Sequence, residues 1–159
     1  MTTYYLLKLA LTIHIAGLTI AGGLSLANFL IFQRFRKVYF DDTQRALITL
    51  EGNAKLPRIA NIGIVISIVS GIAMMILTNG AFMNQVWFEI KLALLVITIV
   101  NIIWRSLLKR KLNKAIKQNK ARVEIETNFL GLSNMIHISA FIQILLFLSI
   151  FFLASFRFN

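Results

Sequence analysis

The sequence contains no cysteine and a single proline among its 159 residues. The absence of cysteine excludes disulfides, thiolate metal sites and cysteine nucleophiles. With one proline, and with isoleucine and leucine throughout, the chain predicts long uninterrupted helices. Charged residues form 14% of the chain and hydrophobic residues 58%, whereas a soluble domain has about 25% and about 45–50%. This composition excludes a water-soluble globule.

Acidic residues are also scarce, because six Asp and Glu stand against 17 Lys and Arg and give a formal net charge of +11. Such an excess of positive charge can indicate a nucleic-acid partner. Here, however, the basic residues concentrate in segments 34–58 and 105–122, and segment 78–85 between them carries no charge. Basic loops that alternate with a neutral loop are the positive-inside pattern of polytopic membrane proteins. The sequence therefore predicts no nucleic-acid partner and places both basic loops in the cytoplasm.

Four apolar stretches are long enough to cross a bilayer, for which about 20 residues suffice. We predict an all-α polytopic membrane protein, an antiparallel four-helix transmembrane bundle with both termini outside, in a single domain over residues 1–159. Its compartment is predicted to be a bacterial inner (plasma) membrane. The first stretch is too long, and lacks the positive leading segment, for a cleaved signal peptide. The predicted spans are about 4–32, 59–77, 87–108 and 129–156, with cytoplasmic loops 33–58 and 109–128.

The two basic loops carry further structural signals. Residues 41–55 predict a short amphipathic helix that ends near Gly52, and Pro57 is expected to begin the second span. Residues 109–122 contain no helix breaker, so the third helix is predicted to continue past the membrane. Lys and Arg in these loops are expected to contact anionic lipid headgroups, at about 1 kcal/mol each. A topology signal without specific lipid contact explains the same residues, and a homo-oligomer stays open.

Small residues indicate where two of the helices pack, because helix association in lipid depends on close backbone approach. Along the first helix, Thr19, Gly23 and Ala27 recur every four residues. A similar stripe on the second helix comprises Gly63, Ser67, Ser70 and Gly71. The stripes predict that the first two helices form a tight antiparallel pair.

Ionisable side chains at membrane depth are costly, so each is a candidate functional residue. His14 is predicted to lie about 12 Å inside the hydrocarbon core. Gly17 and Ala21 share its helix face and are expected to leave room for a bulky group beside the imidazole; the alternative is a neutral histidine hydrogen-bonded to a neighbouring helix. Lys91 is predicted about 6 Å below the outer interface. It can extend outward or pair with Glu89 or a headgroup.

The depth of the second histidine, His137, depends on where the fourth span begins. If the span begins at Phe129, His137 lies about 12 Å from the cytoplasmic side, and about 6 Å of height separates it from His14. If Phe156 marks the outer boundary, His137 lies near the inner surface and cannot meet His14. Asn134, one turn earlier, is placed to orient the ring.

The remaining polar residues in the spans are expected to form interhelical hydrogen bonds of about 0.6 kcal/mol each. These residues are Asn28, Asn61, Asn101 and Gln143. The sequence has no Ser-His-Asp arrangement, no paired intramembrane carboxylates and no phosphate-binding loop. With two histidines and no cysteine, it also lacks the ligands of a protein-held zinc site. Hydrolytic chemistry is therefore not predicted, and no catalytic residue is assigned.

Two segments resemble a known group of small integral membrane proteins, which includes the HemJ-type protoporphyrinogen oxidases, the CopD copper-resistance membrane domain and an uncharacterised relative family. The first segment, LLKLALTIHIAGLTIAGGLSLANFLIFQRFRK, has the group's first-helix histidine (His14), then glycines and a basic flank. The second, WFEIKLALLVITIVNIIWR, is similar to the group's Trp-x-x-x-Lys-Leu-x-Leu-Val segment, with Lys91 on the lysine and Arg105 near an arginine. The two segments cover two of the four spans.

The resemblance implies a b-type haem, with His14 and Lys91 as important residues. We extend the expected cofactor-binding set to His14, Gly17, Lys91 and His137, with His14 and His137 as candidate metal ligands. The expected function is a haem-b-binding redox protein, either for porphyrinogen oxidation or for electron transfer. The chain departs from the HemJ pattern at Asn101, where a further histidine is expected. It also carries His137 in place of acidic and proline positions in the fourth helix, and these departures argue against protoporphyrinogen oxidation itself.

Two alternatives need no cofactor. One is a permease-like or accessory membrane protein related to the copper-resistance domain. In that interpretation Met74, Met75 and Met83 would be soft donors for Cu(I), although packing is the commoner role of methionine. The other alternative is a structural subunit of a larger assembly.

Overall fold

The computed structural model describes residues 2–39, 41–53, 55–81, 83–117 and 122–155, and side chains at all of these except 115–117, 122–128 and 155. The described residues form five helices and no strand. Four of these helices are long and apolar enough to cross a membrane, the number that was predicted, and this indicates an integral membrane protein. The helices are α1 (Thr2–Val38), α2 (Thr43–Gly52), α3 (Leu56–Leu77), α4 (Val86–Lys117) and α5 (Arg122–Ser155).

Two of the helices extend beyond the ends of the predicted spans. Helix α1 continues to Val38 and α5 begins at Arg122, so residues 33–38 and 122–128 are helical although they were predicted to be loop. Hydropathy reports where the bilayer ends, and neither stretch contains the proline or glycine that would end a helix. Helix α4 continues past its apolar stretch to Lys117, as predicted. Phe156, the predicted end of the fourth span, lies outside the described residues.

The predicted short helix between the first two spans is confirmed as α2. Asp42 caps its N-terminus by accepting a hydrogen bond from the Arg45 backbone N–H at 2.9 Å. The helix ends at Gly52 as predicted, and Pro57 lies in the first turn of α3, where its missing N–H costs no hydrogen bond. At the other end of α3, Gly80 has a φ of 70° and its N–H donates to the Met75 carbonyl, which closes the turn toward α4.

Helices α1 and α3 form the closest pair and run antiparallel. A Cβ atom added at Gly17 would lie 2.8 Å from the Gly63 carbonyl oxygen, so the two backbones touch here. Gly17, Ala21 and Ser25 are the buried residues of this α1 face. The predicted α3 stripe is confirmed, but the predicted α1 stripe is wrong: Thr19 is exposed and Gly23 has no neighbour within 4 Å of its Cβ position.

Helices α4 and α5 form a second antiparallel pair, and α1 joins the two pairs through α5. Phe29 of α1 contacts the His137 and Phe141 rings of α5. Among the described residues, the α3 backbone comes near α1 but not near α4 or α5, and no α-carbon of α4 lies within 8 Å of one in α1. In the part of the chain that the structure describes, α1 and α4 are therefore joined through side chains.

The main hydrophobic core lies where α1 and α4 end and α5 begins. We call this the basic end, because it carries Arg34, Arg36, Lys37, Lys109 and Arg110. Tyr39 stacks on Phe129 with ring centroids 3.8 Å apart and an interplanar angle of 8°. The cluster joins α1, α2, α4 and α5 and comprises Phe32, Phe35, Tyr39, Ala46, Leu108, Leu112, Phe129 and Ile136.

Candidate functional site

His14 is held between α1 and α3 by a hydrogen bond to the α3 backbone. Its Nδ1 lies 2.7 Å from the Ser67 carbonyl oxygen and 3.2 Å from Ser70 Oγ. A carbonyl oxygen only accepts, so Nδ1 carries the proton and donates it. In this neutral tautomer Nε2 is unprotonated and keeps a lone pair. Among the described residues Nε2 has no hydrogen-bond partner, so the imidazole is anchored on one side and available on the other.

Glycines allow this anchoring. A Cβ atom at Gly17 would lie 2.6 Å from Ser67 Oγ, and a Cβ atom at Gly71 would lie 3.4 Å from His14 Cε1. Gly17 therefore brings Ser67 close to His14, and Gly71 provides space for the imidazole edge. The room that the sequence predicted beside Gly17 and Ala21 is filled by α3, so these two small residues act through helix packing.

Lys91 of α4 lies within electrostatic range of His14. It is half-buried, and its charge acts electrostatically on the imidazole. Lys109 Nζ, at the end of a long side chain, donates to Asn28 Oδ1 at 3.4 Å. Glu89, a predicted partner of Lys91, is exposed, and within the described chain no ion pair joins the two.

His137 lies at the basic end, far from His14. Gln33 Nε2 donates to His137 Nε2 at 3.2 Å, and the imidazole packs against Phe29 with centroids 4.9 Å apart. Phe29 and Gln33 follow His14 by 15 and 19 residues on the same helix, or by about 22–28 Å at 1.5 Å per residue. Of the two predicted depths, the structure has the one at which the histidines cannot meet, and one metal ion cannot bind both.

Asn134 does not orient His137 as the sequence suggested, because its Oδ1 accepts a hydrogen bond from Arg36. Arg36 and His137 instead border a groove of about 360 Å³ between α1 and α5. A second groove, of about 620 Å³, runs along α4 beside Trp104 and three cations. Sequence analysis identified the cations but not the grooves, which depend on how the helices pair. The first groove is lined by Gln33, Arg36, Lys37, Phe129, Leu130 and His137.

Asn101, at the position where the resemblance expects a histidine, joins α4 to α5. Its Nδ2 donates to the Ser139 carbonyl and to Gln143 Oε1, both at 2.9 Å, and its Oδ1 accepts from Ser139 Oγ at 2.8 Å. These bonds confirm the predicted interhelical role of Asn101 and Gln143. The whole amide is used for packing, so Asn101 does not replace a ligand. Asn61, by contrast, is exposed.

Other ligand sets are sparse in the described part of the chain. It contains no group of three or more His, Cys, Asp or Glu side chains that could hold a metal ion. Met74 and Met75 are half-buried and Met83 is exposed. Adjacent helical positions such as 74 and 75 point about 100° apart, so this pair does not converge on one ion.

Comparisons with protein-family models, with curated proteins and with solved structures found no match to the chain. The resemblance to the HemJ and CopD group therefore stays a prediction.

Proposed function

We propose that this chain is an integral membrane redox protein that binds haem b, with His14 Nε2 as an axial ligand of the iron. One observation carries the proposal: His14 donates its Nδ1 proton to the Ser67 carbonyl at 2.7 Å, which leaves Nε2 free. Histidines that bind metals almost always donate their other ring N–H to a carbonyl, carboxylate or water, because this fixes the ring and makes the ligand nitrogen more basic. His14 has this arrangement.

The scarcity of other ligands favours a porphyrin over a bare metal ion. Within the described residues no three-ligand cluster exists, whereas haem brings four nitrogen donors and needs only one or two from the protein. Lys91, whose charge acts on His14, would be the second ligand or the partner of a propionate. Gly17 would act indirectly, because it lets Ser67 approach His14. When bound, the haem would supply one-electron chemistry.

We favour electron transfer over porphyrinogen oxidation. The HemJ-like pattern expects a second histidine where this chain has Asn101, and the Asn101 amide is fully used in joining α4 to α5. His137 does not substitute for it, because its Nε2 accepts from Gln33 at the opposite end of the structure.

We further propose that the four long helices form an antiparallel bundle with the basic end in the cytoplasm and both termini outside, in a bacterial inner membrane. The positive-inside rule supports this orientation, since Lys and Arg concentrate at one end. The grooves beside Arg36 and along α4 would then contact anionic headgroups.

The test is the visible spectrum of detergent-purified protein from haem-supplied cells, with two matched variants. The wild type should show a Soret band, and His14→Ala should lose it. His137→Ala should retain the band, because the α1 residues that His137 contacts lie about 22–28 Å from His14. Lys91→Met should keep the haem but change its reduction potential or ligand field. A Soret band that is equally strong in His14→Ala would contradict the proposal.

A further inference from the structure

Two cations lie at the basic end, one buried and one half-buried, and neither has a carboxylate partner among the side chains that the structure describes. Arg105 and Lys109 are one helical turn apart on the same face of α4, and Arg105 is only 9% exposed. Lys109 is half-buried, and like charges four residues apart on one helix repel each other. The acidic side chains that the structure describes are all exposed and form no ion pair with either cation. These are Asp41, Asp42, Glu51 and Glu89.

The two cations have too few hydrogen-bond partners among the described residues. The buried Nη1 of Arg105 has no partner among the described residues. Lys109 has only a long contact of 3.4 Å to the neutral amide oxygen of Asn28. Arginine stays protonated in proteins, so it cannot escape the cost of burial by losing its charge. A buried charge that lacks a partner is strongly unfavourable.

A buried hydroxyl lies at the same height. Asn101 bonds to Ser139 and Gln143 across the α4–α5 pair, and in this antiparallel register Lys109 is level with Ser133. Ser133 is 0% exposed, and its Oγ also has no partner in the described residues. A guanidinium and an ammonium only donate, and a hydroxyl both donates and accepts, so donors outnumber acceptors in this cluster.

We propose that Arg105, Lys109 and Ser133 bind an oxyanion of the phosphate or carboxylate class. The planar guanidinium matches the paired oxygens of such a group, and the ammonium adds a second positive charge. A bound oxyanion would supply the missing acceptor and relieve the repulsion between the two cations.

The position of this cluster is compatible with two sources of the oxyanion. Arg105 follows Trp87 by 18 residues on α4, or about 27 Å, and the hydrocarbon core is about 30 Å thick. The cluster therefore lies near the headgroups of the leaflet at the basic end, where either a lipid phosphate or a soluble anion can reach it. In the register set by the bonds of Asn101 to Ser139 and Gln143, Arg105 is level with His137. His137 lies about 22–28 Å from His14 along the bundle, so this site is separate from the proposed haem site.

The experiment measures thermal unfolding of delipidated protein in a neutral detergent. One arm adds phosphatidylglycerol, with phosphatidylcholine as its control. The other adds inorganic phosphate, with chloride at equal ionic strength. A stabilisation specific to phosphatidylglycerol identifies a lipid, and one specific to phosphate identifies a soluble anion. No specific stabilisation in either arm would overturn the proposal.

Three variants separate this site from general surface charge. Lys109→Met should weaken the apparent affinity about tenfold, as expected for the loss of one hydrogen bond to a charged group. Arg34→Gln removes an exposed cation of the basic end that lines neither groove, and it should leave the affinity unchanged. Lys109→Glu places a carboxylate one turn from Arg105, and this variant should fold while losing its response to added anion. If the three variants respond as the wild type does, the bound anion lies elsewhere and the proposal is wrong.

Discussion

The close contact between α1 and α3 at Gly17 is predicted to maintain the hydrogen bond from His14 to Ser67, and a substitution at Gly17 tests this. In Gly17→Ala, the new methyl carbon would lie 2.8 Å from the Gly63 carbonyl oxygen and 2.6 Å from Ser67 Oγ. The serine hydroxyl can rotate away, but the carbonyl belongs to the backbone. Ordinary van der Waals contact begins at 3.4 Å, so α1 and α3 must separate by about 0.6 Å at this point.

The expected magnitude follows from a matched control. Gly23→Ala makes the same chemical change on the same helix, but nothing lies within 4 Å of its new methyl group. The gain of up to about 1 kcal/mol from replacing a helical glycine is common to both variants and cancels. Overpacking costs about 1–3 kcal/mol, so Gly17→Ala should be less stable than Gly23→Ala by that amount.

The same separation should weaken the anchor of His14. The distance from Nδ1 to the Ser67 carbonyl oxygen is 2.7 Å, and a shift of about 0.6 Å brings it past the usual hydrogen-bond range of about 3.2 Å. Reversible unfolding in mixed micelles measures the stability difference. Equal free energies of unfolding for the two variants would show that α1 and α3 are not in tight contact at Gly17.

Three further predictions concern packing and orientation. Asn101→Leu removes three hydrogen bonds between α4 and α5 and should reduce the free energy of unfolding by about 2 kcal/mol. Asn61 is exposed, so Asn61→Leu should leave the free energy of unfolding unchanged. Equal effects of the two substitutions would show that the Asn101 amide does not join the helices. Phe35→Ala truncates a ring that is 0% exposed and should cost about 3–5 kcal/mol in the same unfolding assay, and a cost below about 1 kcal/mol would contradict the core described at the basic end. Because the chain has no cysteine, Asn84→Cys and Asn113→Cys each provide a single thiol for an impermeant maleimide. Asn84→Cys should react in intact cells and Asn113→Cys only after permeabilisation, and the reverse pattern would overturn the proposed orientation.

Much of the helical architecture could be predicted from the sequence, because the bilayer imposes length and apolarity on each span. The helix ends were harder to predict, because hydropathy does not show where a polar segment continues as a helix. The packing face of α1 was predicted wrongly for a specific reason. This helix carries two small-residue stripes, one at Thr19 and Gly23 and one at Gly17 and Ala21, on nearly opposite faces. Only the position of α3 decides between them.

The candidate site was predicted less completely than the fold. His14 and Lys91 could be selected because ionisable residues are rare at membrane depth, and the structure brings them near each other. The Ser67 carbonyl that anchors His14 is a backbone group and leaves no sequence signal. The depth of His137 depends on Gln33 and Phe29 of another helix. The burial of Arg105 could not be predicted either, because a basic residue near the cytoplasmic end of a span normally suggests a topology signal.

The most direct test of the central claim is a haem assay of the purified protein by pyridine haemochrome, combined with its reduced-minus-oxidised spectrum. If His14 Nε2 is an iron ligand, protein from haem-replete cells should carry haem b in a constant ratio to the chain, and this haem should be reduced by dithionite and lost in His14→Ala. A folded, membrane-inserted protein that is colourless when the host makes ample haem would contradict the account.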